Sequence, residues 1–138
     1  MQTRFGYPPN YLEIKKRLRP PPNAIFCYGD TVYMPAGGEL TLPLAAHENV
    51  HRLRQGDQVE AWWACYLMDV LFRIKEELLA HVAEYTEVLA HNPNRHTRRR
   101  YMKMMCRRLS GPMYGRGISM VEAKTALTDG VFPERFLD

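Results

Sequence analysis

Pro43-Leu-Ala-Ala-His47-Glu48-Asn49-Val50-His51-Arg-Leu-Arg-Gln55-Gly56 is the stretch on which the reading of the chain turns. Pro43 suits a first helical turn, the residues from Leu44 to Gln55 are good helix formers and Gly56 supplies a stop, so a helix over 43–55 is expected. Within it His47 and His51 stand four residues apart, on one helical face, where both imidazoles can converge on a single metal ion. Glu48 projects beside them, placed to take a proton from water and pass it to a leaving amine. Zinc suits such ligands, lowers the pKa of water and polarises a carbonyl. A chance HExxH is expected only about 0.01 times in a chain of this composition. Val50 and Leu53 are available to face the core.

A catalytic zinc site needs a third protein ligand and keeps one position open. Asp57 with Glu60 three residues on reads as a capping box, after which apolar positions run through Trp62, Trp63, Leu67, Leu71, Ile74, Leu78, Val82 and Leu89 to about His91. An unbroken helix of that extent would be about 50 Å long, more than the diameter of such a domain, so a break is expected near Met68 to Phe72. Beyond the break, Glu77 can reach the two histidines if its helix packs antiparallel to theirs, and Glu76 or Glu84 could do the same. Asp57 offers another solution, HExxHxxxxxD. The tight turn of that arrangement needs Gly three residues after the second His, where Arg54 stands, so Glu77 is preferred to Asp57.

The remaining chain frames this region. Asn10 to Arg19 reads as a short helix with an Asn cap, stopped by Pro20, Pro21 and Pro22. Ala24–Tyr28 and Thr31–Met34, separated by Gly29-Asp30, read as two short strands or a hairpin. After Asn92-Pro93-Asn94 comes a basic helix over 95–109, then a loop over 110–117, then a helix opened by a Ser119/Glu122 capping box and ended before Gly130. The 138 residues fit one domain, α+β but mainly helical, with a core at 24–91 and a basic helical segment at 95–138. Residues 1–94 carry 9 Lys and Arg against 11 Asp and Glu, whereas residues 95–138 carry 10 against 4. Arg95 to Arg108 could therefore engage nucleic acid or an acidic partner, or form an ordinary solvated helix face. No apolar run approaches the roughly 20 residues of a membrane span, and no apolar leader follows Arg4. Cys27, Cys65 and Cys106, odd in number and widely spaced, argue against a disulfide framework and for a reducing, cytoplasmic setting.

Residues 24–91 resemble the short zincin-type metallopeptidases of phages and bacteria, in the glutamate-zincin manner. The matching pieces are Thr31-Val-Tyr-Met-Pro35, the His47–His51 motif with Gln55 after it, Trp63 to Leu67, and Arg73 followed by Glu77 and Ala80. The resemblance covers about half the chain. It implies a zincin-like domain with a small sheet, His47, His51 and Glu77 as zinc ligands, Glu48 as catalytic base, and a peptide or protein substrate. For a phage-encoded chain the setting would be host cytoplasm or virion. Ser110-Gly-Pro-Met-Tyr114-Gly is similar to a C-terminal tyrosine loop of such proteins, and Tyr114 could donate a hydrogen bond to a tetrahedral oxyanion. The Arg-rich segment lies outside the family pattern.

Several residues have a plainer reading beside the functional one. Arg73, four before Glu77, could orient that carboxylate or form a helix-surface ion pair. His81 could ligate or support the metal, but a surface histidine is the preferred reading. At least one of Trp62 and Trp63 belongs to the core, and Met104-Met105 reads as core filling. The alternative function is a non-catalytic zincin-fold structural or binding module, associated with phage assembly or nucleic acid, that uses the basic helix.

Overall fold

In the computed structural model, which describes residues 1–137, the chain forms three short strands and six helices among the described residues. In order they are β1 (Gln2–Arg4), α1 (Tyr11–Leu18), β2 (Phe26–Tyr28), β3 (Thr31–Tyr33), α2 (Leu42–Gln55), α3 (Val59–Met68), α4 (Val70–His91), α5 (Arg95–Leu109) and α6 (Met120–Asp129). Turns of 3-10 helix follow at Pro112–Tyr114 and Glu134–Phe136. The class is α+β and mainly helical, with one small sheet. No helix is long and apolar enough to cross a membrane.

The hairpin forms where the β-branched and aromatic runs place it, with Gly29 at φ +61° in the turn and Phe26 opposite Tyr33. The strand β1 has no counterpart in the sequence reading. Its three residues are exposed and carry no alternation; pairing parallel to β3, with Gln2 opposite Thr31, makes it a strand. The sheet order is β1-β3-β2, which leaves β2 at an edge beside α2.

Helix ends follow local chemistry unevenly. Thr41 caps α2 by accepting from Leu44 N, Asn94 caps α5 by accepting from Thr97 N, and Ser119 with Glu122 completes both arms of the expected capping box. Two expected caps do not form. Asn10 makes no side-chain cap bond, and Gln58, not Asp57, occupies the cap position of α3 without one. The helix break falls on Asp69, whose extended backbone separates α3 from α4 and whose Oδ1 accepts from Leu71 N and Phe72 N. One residue therefore ends one helix and caps the next.

The helix α2 inverts the usual pattern. Its buried residues are His47, Glu48, His51 and Gln55, while Leu53, expected to face the core, is exposed. Hydrogen bonds rather than an apolar stripe tie its end to the sheet: Gln55 Nε2 donates to Cys27 O at 2.8 Å, and Gln55 Oε1 accepts from Gly29 N at 2.8 Å. Opposite it, α4 has two faces. Ile74 and Leu78 pack with Met105, Leu109, Ala123 and Phe136 of the C-terminal half. Glu77, His81 and Glu84, spaced by four and three, form the buried face toward α2. A second apolar cluster of Ile14, Phe26, Trp62, Trp63 and Tyr66 joins α1, β2 and α3. Met105 fills the core as expected, whereas Met104 is exposed.

Candidate metal centre

The one-turn spacing of His47 and His51 sends both rings into the space between α2 and α4, where Glu77 meets them. His47 Nε2 and His51 Nε2 are 3.1 Å apart. Glu77 reaches each with a different oxygen, Oε1 lying 3.0 Å from His51 Nε2 and Oε2 lying 3.3 Å from His47 Nε2. Donor atoms held at 2.0–2.1 Å from a tetrahedral zinc stand roughly 3.3 Å from one another. The triangle therefore has close to the edge length that such an ion imposes, and its three side chains are all buried.

The tautomer of His47 is fixed from behind. Its Nδ1 lies 2.8 Å from Glu84 Oε1, and Tyr101 donates its hydroxyl to Glu84 Oε2 at 2.5 Å. A carboxylate accepts here, so Nδ1 carries a proton and Nε2 is the nitrogen on which a metal could take the place of the second proton, as in carboxylate–histidine–metal relays. Burial opposes the charge on Glu84, but the bonds from His47 and Tyr101 hold its pKa below the usual carboxylate value. Burial likewise opposes charge on Glu77 and on His47. The positive charge at His51 and His47 prevails and takes Glu77 well below its ordinary range, while Glu77 and Glu84 raise His47 well above its own. The same negative field that draws a proton to His47 would draw a divalent cation.

Glu48 stands apart from the triangle. Its Oε1 is 4.0 Å from His47 Nε2, its Oε2 is buried without a hydrogen-bond partner, and burial raises its pKa against the pull of His47 and His51. It is thus not tied down as a ligand. His47, Glu48, His51, Glu77 and Tyr114 all line one cavity of about 250 Å³, together with apolar side chains of α1, β2 and α2.

The other third-ligand candidates are placed elsewhere. Asp57 is exposed beyond the end of α2. Glu76 faces away into Arg54 and Trp62, accepting from Arg54 Nε at 2.9 Å and from Trp62 Nε1 at 2.6 Å. Glu84 belongs to a second cluster with His47 and His81. Its 2.8 Å separation from His47 Nδ1 is that of a hydrogen bond, shorter than the edge of a tetrahedron around zinc, and reads as support for the histidine.

Three side chains depart from expectation. His81 is fully buried rather than on the surface: Nδ1 donates to Glu77 O at 2.7 Å and the ring meets His47 edge-on. Burial, with the charge of His47, lowers its pKa to about 4, so it is a neutral prop behind the centre. Its place four residues after Glu77 was the signal, but spacing alone does not say which face of a helix is covered. Arg73 neither orients Glu77 nor forms a surface ion pair; it is buried and donates to Tyr66 O, Leu67 O and Met113 O. Tyr66 was not singled out by sequence, yet its hydroxyl donates to Glu77 Oε1 at 2.7 Å. Tyr114 is buried against Tyr66 and lines the cavity, where burial and the charge of Glu77 keep its pKa well above the ordinary tyrosine value. Trp62 and Trp63 are both buried and both line the cavity.

Comparison with protein-family models, with curated proteins and with solved structures found no match.

Proposed function

We propose that this chain is a zinc-dependent peptidase of the zincin kind, in which His47, His51 and Glu77 hold the metal and Glu48 is the general base. The observation that carries the reading is the triangle of buried donors spaced 3.0–3.3 Å, opening on a cavity beside a carboxylate oxygen that has no partner. Zinc in that triangle supplies a Lewis acid for a substrate carbonyl and lowers the pKa of water. Glu48 takes the proton of the attacking water on its free oxygen and gives it to the departing nitrogen. Its raised pKa suits both halves, since a carboxylate nearer neutrality is the better base and, once protonated, the ready donor. Glu84 and Tyr101 hold His47 in one tautomer, and Tyr66 and the Glu77 carbonyl bond to His81 hold the third ligand. Burial keeps Tyr114 protonated, able to donate to the oxyanion of a tetrahedral intermediate. A peptide fits the largely apolar cavity better than a sugar or nucleotide does.

The test is zinc content and peptide cleavage of wild type and Glu48→Gln. The variant keeps zinc and loses roughly 10²–10⁴-fold in kcat, because the base is not a ligand. Equal turnover in both would refute the assignment. A second reading, a metal-stabilised binding module that cleaves nothing, draws on α5, which has no acidic residue and exposes Arg95, Arg99, Arg100, Lys103, Arg107 and Arg108. It gains if wild type binds zinc, leaves a broad peptide library intact and binds nucleic acid in a strongly salt-dependent way.

A further inference from the structure

The cavity at the metal centre has one Lys or Arg among its lining residues, Arg108, from the last turn of α5. Its side chain is exposed and makes no ion pair or hydrogen bond among the described residues, although its charge is felt at Tyr114 and at Tyr101. The cavity's anions, Glu48 and Glu77, are buried with the two histidines. Much of the remaining wall is apolar, including Ile14, Leu18, Phe26 and Leu44. Away from the proposed metal and the histidines that would hold it, a ligand carboxylate therefore meets repulsion on the Glu48 side and attraction at the Arg108 rim.

We infer that Arg108 is a specificity residue that anchors a carboxylate of the bound polypeptide, so that the substrate is an acidic peptide segment with apolar residues seated in the cavity. The inference rests on the peptidase reading and names its substrate class. A guanidinium suits this role because its planar fork pairs with a carboxylate through two parallel bonds. The helix is poor in stacking groups for nucleic-acid bases: Tyr101, the one Phe, Tyr or Trp of α5, has its hydroxyl bonded to Glu84, and His96 lies at the far end of the helix.

The experiment reads binding rather than turnover. Zinc-loaded Glu48→Gln protein is titrated with acetylated tetrapeptides that differ only as Asp against Asn, and with a pair that differs only as free against amidated C-terminus. The signal is fluorescence of Trp62 and Trp63, the chain's only tryptophans, both of which line the cavity. The acid of at least one pair binds roughly five- to tenfold more tightly than its amide, and the pair that responds tells a side-chain from a terminal carboxylate. Adding Arg108→Gln removes the difference, whereas Arg95→Gln, the same charge loss at the far end of α5, leaves it. Equal affinity for acid and amide overturns the inference, as does an equal effect of the Arg95 and Arg108 variants, which marks long-range attraction only. A duplex oligonucleotide that displaces the acidic peptide at physiological salt also overturns it, in favour of a phosphate-binding face. Absence of cleavage by the wild type refutes the peptidase reading separately, since the acid-over-amide preference is measured without turnover.

Discussion

Glu77 answers to four neighbours at once: Tyr66 donates to Oε1, His51 faces the same oxygen, and His47 and His81 face Oε2. Replacing it with Gln removes the charge but keeps the shape, so its effect reads the carboxylate as a ligand. Zinc affinity, measured by competition with a chromogenic chelator, should fall at least about 100-fold in Glu77→Gln and stay unchanged in Asp57→Asn, whose side chain is exposed. Unchanged affinity in the Glu77 variant would remove the third ligand and with it the proposed mechanism. Residue identity in the HExxH pentapeptide announced the two imidazoles and the free carboxylate. Of the partners that fix them, Tyr66 was silent in the sequence, whereas His81 and Glu84 stood out as candidates whose roles spacing could not assign. All three come within hydrogen-bond reach of the centre only when α3 and α4 pack against it.

At the scale of elements, the turn between α3 and α4 and the loop carrying Tyr114 are joined by one side chain. Arg73 donates 2.6–3.0 Å bonds to Tyr66 O and Leu67 O at the end of α3 and to Met113 O in the loop. Met has similar length and no donors, so Arg73→Met leaves three carbonyls with fewer partners. Stability to urea should fall by about 3 kcal/mol, and the Tyr114 loop should open to proteolysis before the global transition. A surface ion pair, the reading that spacing suggested, would cost less than about 1 kcal/mol. The helix break itself was legible, because a single rod from 57 to 91 exceeds the size of the domain. Its residue was not: Asp69 is chosen because a carboxylate at an extended position can accept from two first-turn amides. Asn10 and Asp57 looked equally suited to capping, and neither makes the bond.

For the whole molecule, the proposed metal site lies between α2 and α4, with buried polar residues on both helices. The buried residues of α2 are all polar, so an ion held between α2 and α4 would stabilise the fold directly. At a free zinc concentration 1,000 times the dissociation constant the gain is about 4 kcal/mol, and chelation should lower Tm by roughly 10–15 °C. A Tm indifferent to chelator would mean that α2 and α4 need no cation to hold them. At the other end of the molecule, Arg135 forks onto both oxygens of Glu122 at 2.7 and 2.8 Å and clasps the C-terminal segment to α6. Its bonds, with those of the Ser119 cap, lower the Glu122 pKa to about 2. A carboxylate with a depressed folded-state pKa contributes stability above its unfolded pKa of about 4.3 and loses it as pH falls toward 2. The stability difference between wild type and Glu122→Gln should therefore be full at pH 7, shrink below about pH 5 and vanish near pH 2. A difference that is constant across that range would assign the effect to capping rather than to charge.

The sequence alone determined the helical stretches, the hairpin and its turn, the separation of a near-neutral core from a basic tail, and the convergence of two imidazoles with a carboxylate beside them. Those follow from periodicities and local bonds that operate within a few residues. Only tertiary structure decided which acid faces the histidines, that His81 and Arg73 are buried, that β1 is a strand, and that Arg108 stands at the mouth of the cavity. Each of these depends on which face of one element is covered by another distant in the chain, and a helix's own spacing orders its faces without saying which of them will meet a neighbour.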